Sequence, residues 1–148
     1  MSKRNKKIDN AIKACRELKI PLKIIGSGSQ GKYLKRIASK NIEFLGQVTD
    51  KELSYFYKNC KALIFPGSED FGLSMVEAQA FGKPVIALRN GGALEIIKEG
   101  ITGEFFDNPT VESLKEVLIN FTPSRYNSKN CKEHADNFSF VKFKQQFT

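Results

Sequence analysis

The sequence has 148 residues, 41% of them hydrophobic and 27% charged, which is the balance of one globular domain with a core of its own. No apolar run is long enough to cross a bilayer, and the basic N-terminus lacks the apolar segment of a secretory signal, so we expect a cytoplasmic protein. The net charge of +8 is scattered over helix-like segments without interleaved aromatic residues, which argues against nucleic acid as the partner.

Apolar periodicity and turn residues divide the chain into alternating helices and strands. In chain order, we predict a helix over residues 4–18, a strand over 22–25, a helix over 31–39, a strand over 42–45, a helix over 50–59 and a strand over 62–65. There follow a helix over 72–81, a strand over 85–88, a helix over 93–98, a strand over 102–106 and helices over 110–121, 124–135 and 138–147. This alternation with short connections predicts an α/β fold with a Rossmann-like, doubly wound parallel sheet.

Two local features refine this order. The segment Thr49-Asp50-Lys51-Glu52 has the form of a capping box, which predicts that a helix begins there. The order also opens with a helix, whereas a doubly wound domain normally opens with a strand. We therefore expect residues 1–148 to be one domain from a longer chain, without its first strand, and residues 123–148 to form a C-terminal helical segment.

Few residues could ligate a metal or form a disulfide. The three cysteines, Cys15, Cys60 and Cys131, are far apart and odd in number, which argues against a disulfide framework. Cys15 and Cys60 have the apolar neighbours of core residues, and the polar neighbours of His134 predict a solvated side chain. No acidic cluster of the kind that holds magnesium is present, so the sequence predicts no metal and no cofactor.

A glycine-rich loop follows the first predicted strand. Gly26, Gly28 and Gly31 form the pattern G-x-G-x-x-G between a strand and a helix, where backbone amides can approach a phosphate. A nicotinamide or flavin enzyme would also need an acidic residue at the end of the next strand to hold a ribose. That strand ends in Phe44-Leu45-Gly46-Gln47, and Asp50 belongs to the helix cap. We therefore disfavour this class of enzyme and expect the loop to face another phosphate.

The most informative stretch runs from Glu69 to Ala87, beyond the carboxyl end of a predicted strand, where open parallel sheets bind ligands. Gly72 would open a helix, and the amides of Gly72 and Leu73 could hold an anion with help from the helix dipole. Glu77, about one turn further along, could accept hydrogen bonds from the vicinal hydroxyls of a ribose, while Glu69 would lie on the sugar side. On spacing alone, the alternative is a pair of solvated acidic residues.

This stretch resembles the donor-binding motif of family 4 retaining glycosyltransferases of the GT-B fold, E-x-F-G-L-x-x-x-E-A-x-A-x-G-x-P-V-I-A. The residues that match the motif are Glu69, Phe71, Gly72, Leu73, Glu77, Ala78, Ala80, Gly82, Pro84, Val85, Ile86 and Ala87. Further similarity lies in residues 24–28, 42–53, 91–95 and 100–103, so the resemblance covers about residues 5–121. It implies that the chain is the C-terminal, nucleotide-sugar-binding half of such an enzyme.

The resemblance also implies roles for five residues of the motif. Glu77 would bind the ribose hydroxyls, and Glu69 would position the transferred sugar through its hydroxyls and stabilise developing charge. The amides of Gly72 and Leu73 would hold the diphosphate, and Phe71 would be a further donor-binding residue whose side chain packs the loop.

Residues outside the motif complete the implied site. Lys6, or Lys7 in its place, would bind phosphate, but the arginine that accompanies this lysine in the family has no clear counterpart, since Arg4 lies too close to it. The remaining implied donor-binding residues are Gly26 and Gly28 in the glycine loop and Gln47 and Val48 beside the nucleobase.

The implied reaction transfers a sugar from a nucleoside diphosphate sugar to a hydroxyl acceptor, with retention at the anomeric carbon. Residues 55–60, 77–80 and 91–95 look most like bacterial mannosyltransferases, which favours GDP-mannose over a UDP-sugar. The implied partners are an N-terminal domain of the same parent chain and a glycan or lipid-linked acceptor of polysaccharide biosynthesis, with peripheral association at the inner face of the membrane. The alternatives are a GT-B nucleotide-sugar epimerase and a non-catalytic module that binds nucleotide sugars.

Overall fold

The computed structural model describes residues 6–26, 31–67 and 73–138, without the side chains of Lys6, Lys7 and Leu73. Within these ranges the strands are β1 (Leu22–Ile25), β2 (Ile42–Gly46), β3 (Leu63–Phe65), β4 (Val85–Leu88) and β5 (Gly103–Phe106). The α-helices are α1 (Lys6–Leu18), α2 (Gly31–Ile37), α3 (Asp50–Asn59), α4 (Leu73–Ala80), α5 (Ala93–Ile96), α6 (Val111–Asn120) and α7 (Ser128–Ala135). Two 3₁₀ turns, Pro123–Arg125 and Asp136–Phe138, flank α7.

The strands are parallel throughout. β1 pairs with β2, and β3, β4 and β5 pair in that order, so the described strands form one two-stranded and one three-stranded sheet. Parallel neighbours need a crossover connection, and helices α2, α4 and α5 provide one between each pair of bonded strands. The predicted α/β architecture with parallel strands is therefore confirmed.

Strand β4 is buried at all four of its residues, and its side chains alternate between two apolar clusters. Val85 and Ala87 face a cluster with residues of α3, α4, α5 and α7, whereas Ile86 and Leu88 face a cluster with residues of α1 and α6. This period of two is what a strand covered on both faces requires. Helix α1 also contributes the fully buried Cys15 to a third cluster over β1 and β2, so it packs against both sheets.

Helix ends follow local hydrogen bonds. At the start of α3, Thr49 Oγ1 accepts the amide of Glu52 at 3.1 Å and the Glu52 carboxylate accepts the amide of Thr49 at 2.8 Å, so the predicted capping box is confirmed. Such a cap stabilises a helix by about 1 kcal/mol. Helix α2 ends earlier than predicted, since Asn41 beyond it donates to the carbonyl oxygens of Cys15 and Ile20 at 3.0 and 2.7 Å and holds the turn in place.

Helices α5 and α7 are also shorter than predicted. Helix α5 ends at Ile96, because the hydroxyl of Thr102 accepts the amide of Lys98 at 2.8 Å and turns the chain toward β5. The helix predicted over residues 124–135 is divided into a 3₁₀ turn and α7, which Asn127 caps by accepting the amide of Asn130 at 3.1 Å. Most of the helix predicted over residues 138–147 lies outside the described residues.

Two predictions about single side chains have different outcomes. Cys15 is buried as predicted, and Cys60 is half-buried. The prediction of a solvated His134 is wrong: the side chain is half-buried, its Nε2 lies 2.8 Å from the carbonyl oxygen of Ile96, and its ring packs edge-on against Phe138. The polar residues beside His134 in the sequence are exposed on other faces of α7, so they did not indicate its surroundings.

We expect Gly103→Ala to destabilise the fold by about 3 kcal/mol, because overpacking against rigid backbone is costly. A Cβ at this position would lie 2.0 Å from the carbonyl oxygen of Val85. Val85 belongs to β4, which is hydrogen-bonded to a strand on each edge and cannot easily move away. Gly92→Ala is the matched control, since its Cβ would meet nothing within 4 Å and its φ of −63° suits any residue. Urea denaturation measures both variants, and equal midpoints would contradict the expectation.

Candidate functional site

The C-terminal ends of β1 and β2 bring several predicted donor residues together. The amide of Gly26 donates to the carbonyl oxygen of Gly46 at 2.7 Å, and both glycines have a positive φ, of 101° and 68°. Only glycine adopts such angles at low cost, so these residues allow the chain to turn away from each strand. Gln47, which is exposed, and Val48, which is half-buried, follow directly. Gly26, Gln47 and Val48 thus share one edge of the sheet, while Gly28 lies outside the described residues.

The second part of the site is the segment between β3 and α4. β3 ends at Phe65 and α4 begins at Leu73, so the predicted loop follows the carboxyl end of a parallel strand. Glu77 lies one turn into α4, as predicted, and its side chain is exposed. The predicted residues outside the description are Glu69, Phe71 and Gly72, together with the side chains of Leu73 and Lys6, which are the first residues of α4 and α1.

The carboxylate of Glu77 is held by a tyrosine from helix α3. The hydroxyl of Tyr57 donates to Oε1 of Glu77 at 3.1 Å and lies 3.4 Å from the carbonyl oxygen of Ser74. The Tyr57 side chain is only 8% exposed, and its ring stacks on Phe81 with centroids 5.4 Å apart and 16° between the planes. Burial and the nearby carboxylate raise the pKa of Tyr57, so its hydroxyl keeps its proton at neutral pH. Helix α3 therefore presents a fixed hydrogen-bond donor, the Tyr57 hydroxyl, to Glu77, the predicted ribose-binding residue.

Sequence reasoning did not assign Tyr57 to the site. The signal that could have found it is general: a buried tyrosine needs a hydrogen-bond partner for its hydroxyl. The partner itself is not visible in the sequence, because Glu77 is 20 residues away and becomes a neighbour only when α3 and α4 pack on the same side of β3.

Buried polar contacts join α4 to α5. Gln79 is fully buried, its Nε2 donates to the carbonyl oxygen of Ile96 at 3.3 Å, and its Oε1 has no partner among the described residues. Nε2 of His134 lies 2.8 Å from the same carbonyl oxygen. Because Ile96 ends α5, these contacts from α4 and α7 fix the short helix that follows the glycine turn at residues 91–92.

Arg89 ties together the ends of two strands beside that turn. Its guanidinium donates to both carboxylate oxygens of Glu99 at 3.0 and 2.9 Å and to Asp107 at 2.6 Å, and it lies 4.7 Å from the ring centroid of Phe105. The hydrogen bonds from Arg89 hold the pKa of Glu99 below its usual range. Arg89 thus links the end of β4 to the end of β5 and to the turn after α5.

A separate hollow of about 310 Å³ lies between β5, α6 and the 3₁₀ turn Pro123–Arg125. Its lining includes Tyr126, which hydrogen-bonds Glu104 and stacks on Phe121 with centroids 5.1 Å apart. None of the predicted donor-binding residues that the structure describes lines this hollow. The lining carries two carboxylates, Glu104 and Glu116, and one cation, Arg125, so its net negative charge would repel a diphosphate.

Within the described ranges, no helix is both long enough and apolar enough to cross a membrane. In the same ranges, no three side chains of His, Cys, Asp or Glu come together in a group that could hold a metal ion.

The architecture is that of a GT-B glycosyltransferase domain. Sucrose-phosphate synthase from Thermosynechococcus elongatus superimposes on it with a TM-score of 0.77 and 25% sequence identity, over 90% of this chain and 38% of that chain. The sequence itself matches the family described as Glycosyl transferases group 1 over residues 2–138. The chain belongs to this family, and the resemblance found in the sequence is confirmed at that level.

Curated relatives agree with this assignment. An uncharacterized glycosyltransferase of Methanocaldococcus jannaschii is 33% identical over 139 residues, which are 90% of this chain and 40% of the relative. A GDP-mannose-dependent alpha-mannosyltransferase of Corynebacterium glutamicum is 37% identical over 100 residues, which are 67% of this chain and 23% of the relative. The chain therefore spans less than half the length of either relative.

We expect Arg89→Gln to return the pKa of Glu99 toward that of a free glutamate, because hydrogen bonding to Arg89 is the main cause of its lowering. A carboxyl group with a lowered pKa stabilises the folded state above its unfolded pKa and loses that contribution as the pH falls through the folded value. The parent should be more stable than the variant by about 1 kcal/mol or less at pH 7, since the pair is exposed.

This difference should shrink as the pH falls below the ordinary value of 4.5. Urea denaturation at neutral and acidic pH tests the stability, and an NMR titration of the carboxyl groups tests the pKa. Arg36→Gln, which removes an exposed arginine from α2, is the control. A Glu99 pKa that is the same in both variants would exclude the Arg89 contact as its cause.

Proposed function

We propose that this chain is the donor-binding domain of a retaining glycosyltransferase, which transfers a sugar from a nucleoside diphosphate sugar to a hydroxyl acceptor. The observation that carries the proposal is the exposed carboxylate of Glu77, which lies one turn into α4 and is held by Tyr57 in a chain of a glycosyl transferase family. A carboxylate in this position can accept hydrogen bonds from two vicinal hydroxyls, as a ribose beside a diphosphate presents them.

For the donor we favour GDP-mannose, with a UDP-sugar as the alternative. The relative from Corynebacterium glutamicum, 37% identical, is named as GDP-mannose-dependent, which supports this choice. At the end of β2, the half-buried Val48 offers an apolar contact and the exposed Gln47 a polar group to the edge of a nucleobase.

The chemical work of the domain would be to stabilise the leaving diphosphate. Charge develops on this group as the bond to the anomeric carbon breaks, and groups that are fixed in advance stabilise such charge best. The amides of Gly72 and Leu73 and the cation of Lys6 would supply this stabilisation, at the positive end of the α4 dipole. Glu69 would position the transferred sugar, and no covalent intermediate with the protein is part of the proposal.

The acceptor would be bound by another part of a longer enzyme. This chain covers 40% and 23% of the two relatives, so an N-terminal domain of a parent chain has room to bind a glycan or lipid-linked acceptor of polysaccharide biosynthesis. A cytoplasmic location, with contact to the inner face of the membrane, belongs to the same proposal.

The second candidate function is a module that binds nucleotide sugars without turnover, and the partial coverage of the relatives favours it for this chain by itself. Product analysis separates the two. A longer chain that contains this domain should form a glycoside from GDP-mannose or UDP-glucose when a hydroxyl acceptor is added, if the enzyme reading is correct. Binding of donor without any product would favour the module.

We expect Glu77→Ala to weaken the binding of GDP or UDP by about 1.5–3 kcal/mol, which is the value of hydrogen bonds to a charged group. Calorimetry with the 148-residue chain measures this effect. Glu112→Ala is the control, because it removes an exposed carboxylate of the same charge from α6, on the other face of the sheet. If Glu77→Ala bound both nucleotides as tightly as the parent does, the ribose assignment would be wrong.

A further inference from the structure

We infer that Tyr57 is a positioning residue for the donor, which holds the Glu77 carboxylate in the orientation that accepts the ribose hydroxyls. The inference rests on the proposed function of Glu77 and extends it to a residue in the core. Tyr57 would act through Glu77, since its own side chain is almost wholly buried.

The first argument is the contrast in mobility between the two side chains. Glu77 is exposed and has three rotatable bonds, so a ligand that needs one carboxylate orientation must restrict it at a cost in entropy. The Tyr57 ring cannot move freely, because it stacks on Phe81 and packs among buried residues of α4 such as Met75 and Val76. A hydrogen bond from a fixed group orients the carboxylate before the ligand arrives, which lowers this cost.

The second argument concerns the single proton of the Tyr57 hydroxyl. Two acceptors lie near it, Oε1 of Glu77 at 3.1 Å and the carbonyl oxygen of Ser74 at 3.4 Å. The carboxylate is closer and charged, so it is the stronger acceptor. A carboxylate has about four acceptor positions on its two oxygens, and the bond to Tyr57 occupies one of them. Positions on both oxygens remain for two hydroxyls of a ligand.

A second tyrosine in the chain provides a matched control. Tyr126 is also buried, stacks on Phe121 with 17° between the ring planes, and hydrogen-bonds a glutamate, Glu104. This pair lines the hollow beside β5 and α6, and no predicted donor-binding residue with a described position lies there. Tyr57→Phe and Tyr126→Phe therefore remove the same kind of hydrogen bond, at the site and away from it, and both leave the stacked ring in place.

The experiment measures the ribose preference of the 148-residue chain by calorimetry. GDP and UDP are each compared with their 2′,3′-dideoxy forms, for the parent, Tyr57→Phe, Tyr126→Phe, Glu77→Gln and the double variant Tyr57→Phe/Glu77→Gln. Melting temperatures are recorded for all five proteins. Loss of an orienting hydrogen bond should lower the affinity for the ribose form by about threefold to tenfold.

The expected result is that Tyr57→Phe lowers the ratio of ribose to dideoxy affinity by this factor and leaves the dideoxy affinity unchanged. Tyr126→Phe should keep the parent ratio, and the double variant should lose no more than Glu77→Gln alone. These results support a positioning role, because a merely structural loss would weaken the binding of both forms equally.

Other results overturn the inference in distinguishable ways. If Glu77→Gln removes the ribose preference but Tyr57→Phe retains it, Tyr57 has no positioning role and the proposed function of Glu77 stands. If Tyr57→Phe lowers both affinities together with the melting temperature, its role is structural. If the parent shows no ribose preference, or Glu77→Gln keeps it, the proposed ribose contact fails and the inference fails with it.

Discussion

Burial of strand β4 is the constraint on which the other elements depend. All four of its residues are buried, it is bonded on both edges, and its side chains enter apolar clusters on both faces of the sheet. Helices α4 and α5 are the connections into and out of this strand, so their positions follow from it. The lack of a side chain at Gly103 belongs to the same constraint, since a Cβ there would meet the backbone of Val85.

Side chains of this core fix the positions of groups in the candidate site. The Tyr57 side chain packs in the apolar cluster around β4, and its hydroxyl donates to the exposed carboxylate of Glu77. Gln79 of α4 and His134 of α7 both contact the carbonyl oxygen of Ile96, and so connect these two helices to the end of α5. Loops that follow strands vary easily, whereas groups that are packed against a core keep their positions. A donor bound at α4 would therefore meet at least one side chain whose orientation is set from inside the fold.

What the sequence could predict was local. The five strands are short apolar runs, and the capping box at Thr49 involves residues three apart, so patterns along the chain reveal both. The contacts of His134 with Ile96 and of Tyr57 with Glu77 join residues 38 and 20 positions apart, and no local pattern contains them. The expectation of a further strand ahead of α1 is a prediction that the described strands do not test.

The net charge of the chain acts at long range, whereas the preference of Glu77 for hydroxyls over phosphate depends on short contacts. A net charge of +8 attracts an anionic donor from a distance, but salt screens such attraction beyond about 8 Å at physiological ionic strength. Close to the site, short contacts decide the outcome, and a carboxylate beside a diphosphate is unfavourable unless it has hydroxyl donors of its own. The hydrogen bond from Tyr57 reduces this penalty, because a hydrogen-bond donor stabilises the charged carboxylate. The Tyr57–Glu77 pair should therefore discriminate among nucleotides by their ribose, and recognition of the diphosphate would fall to the other groups of the proposed site.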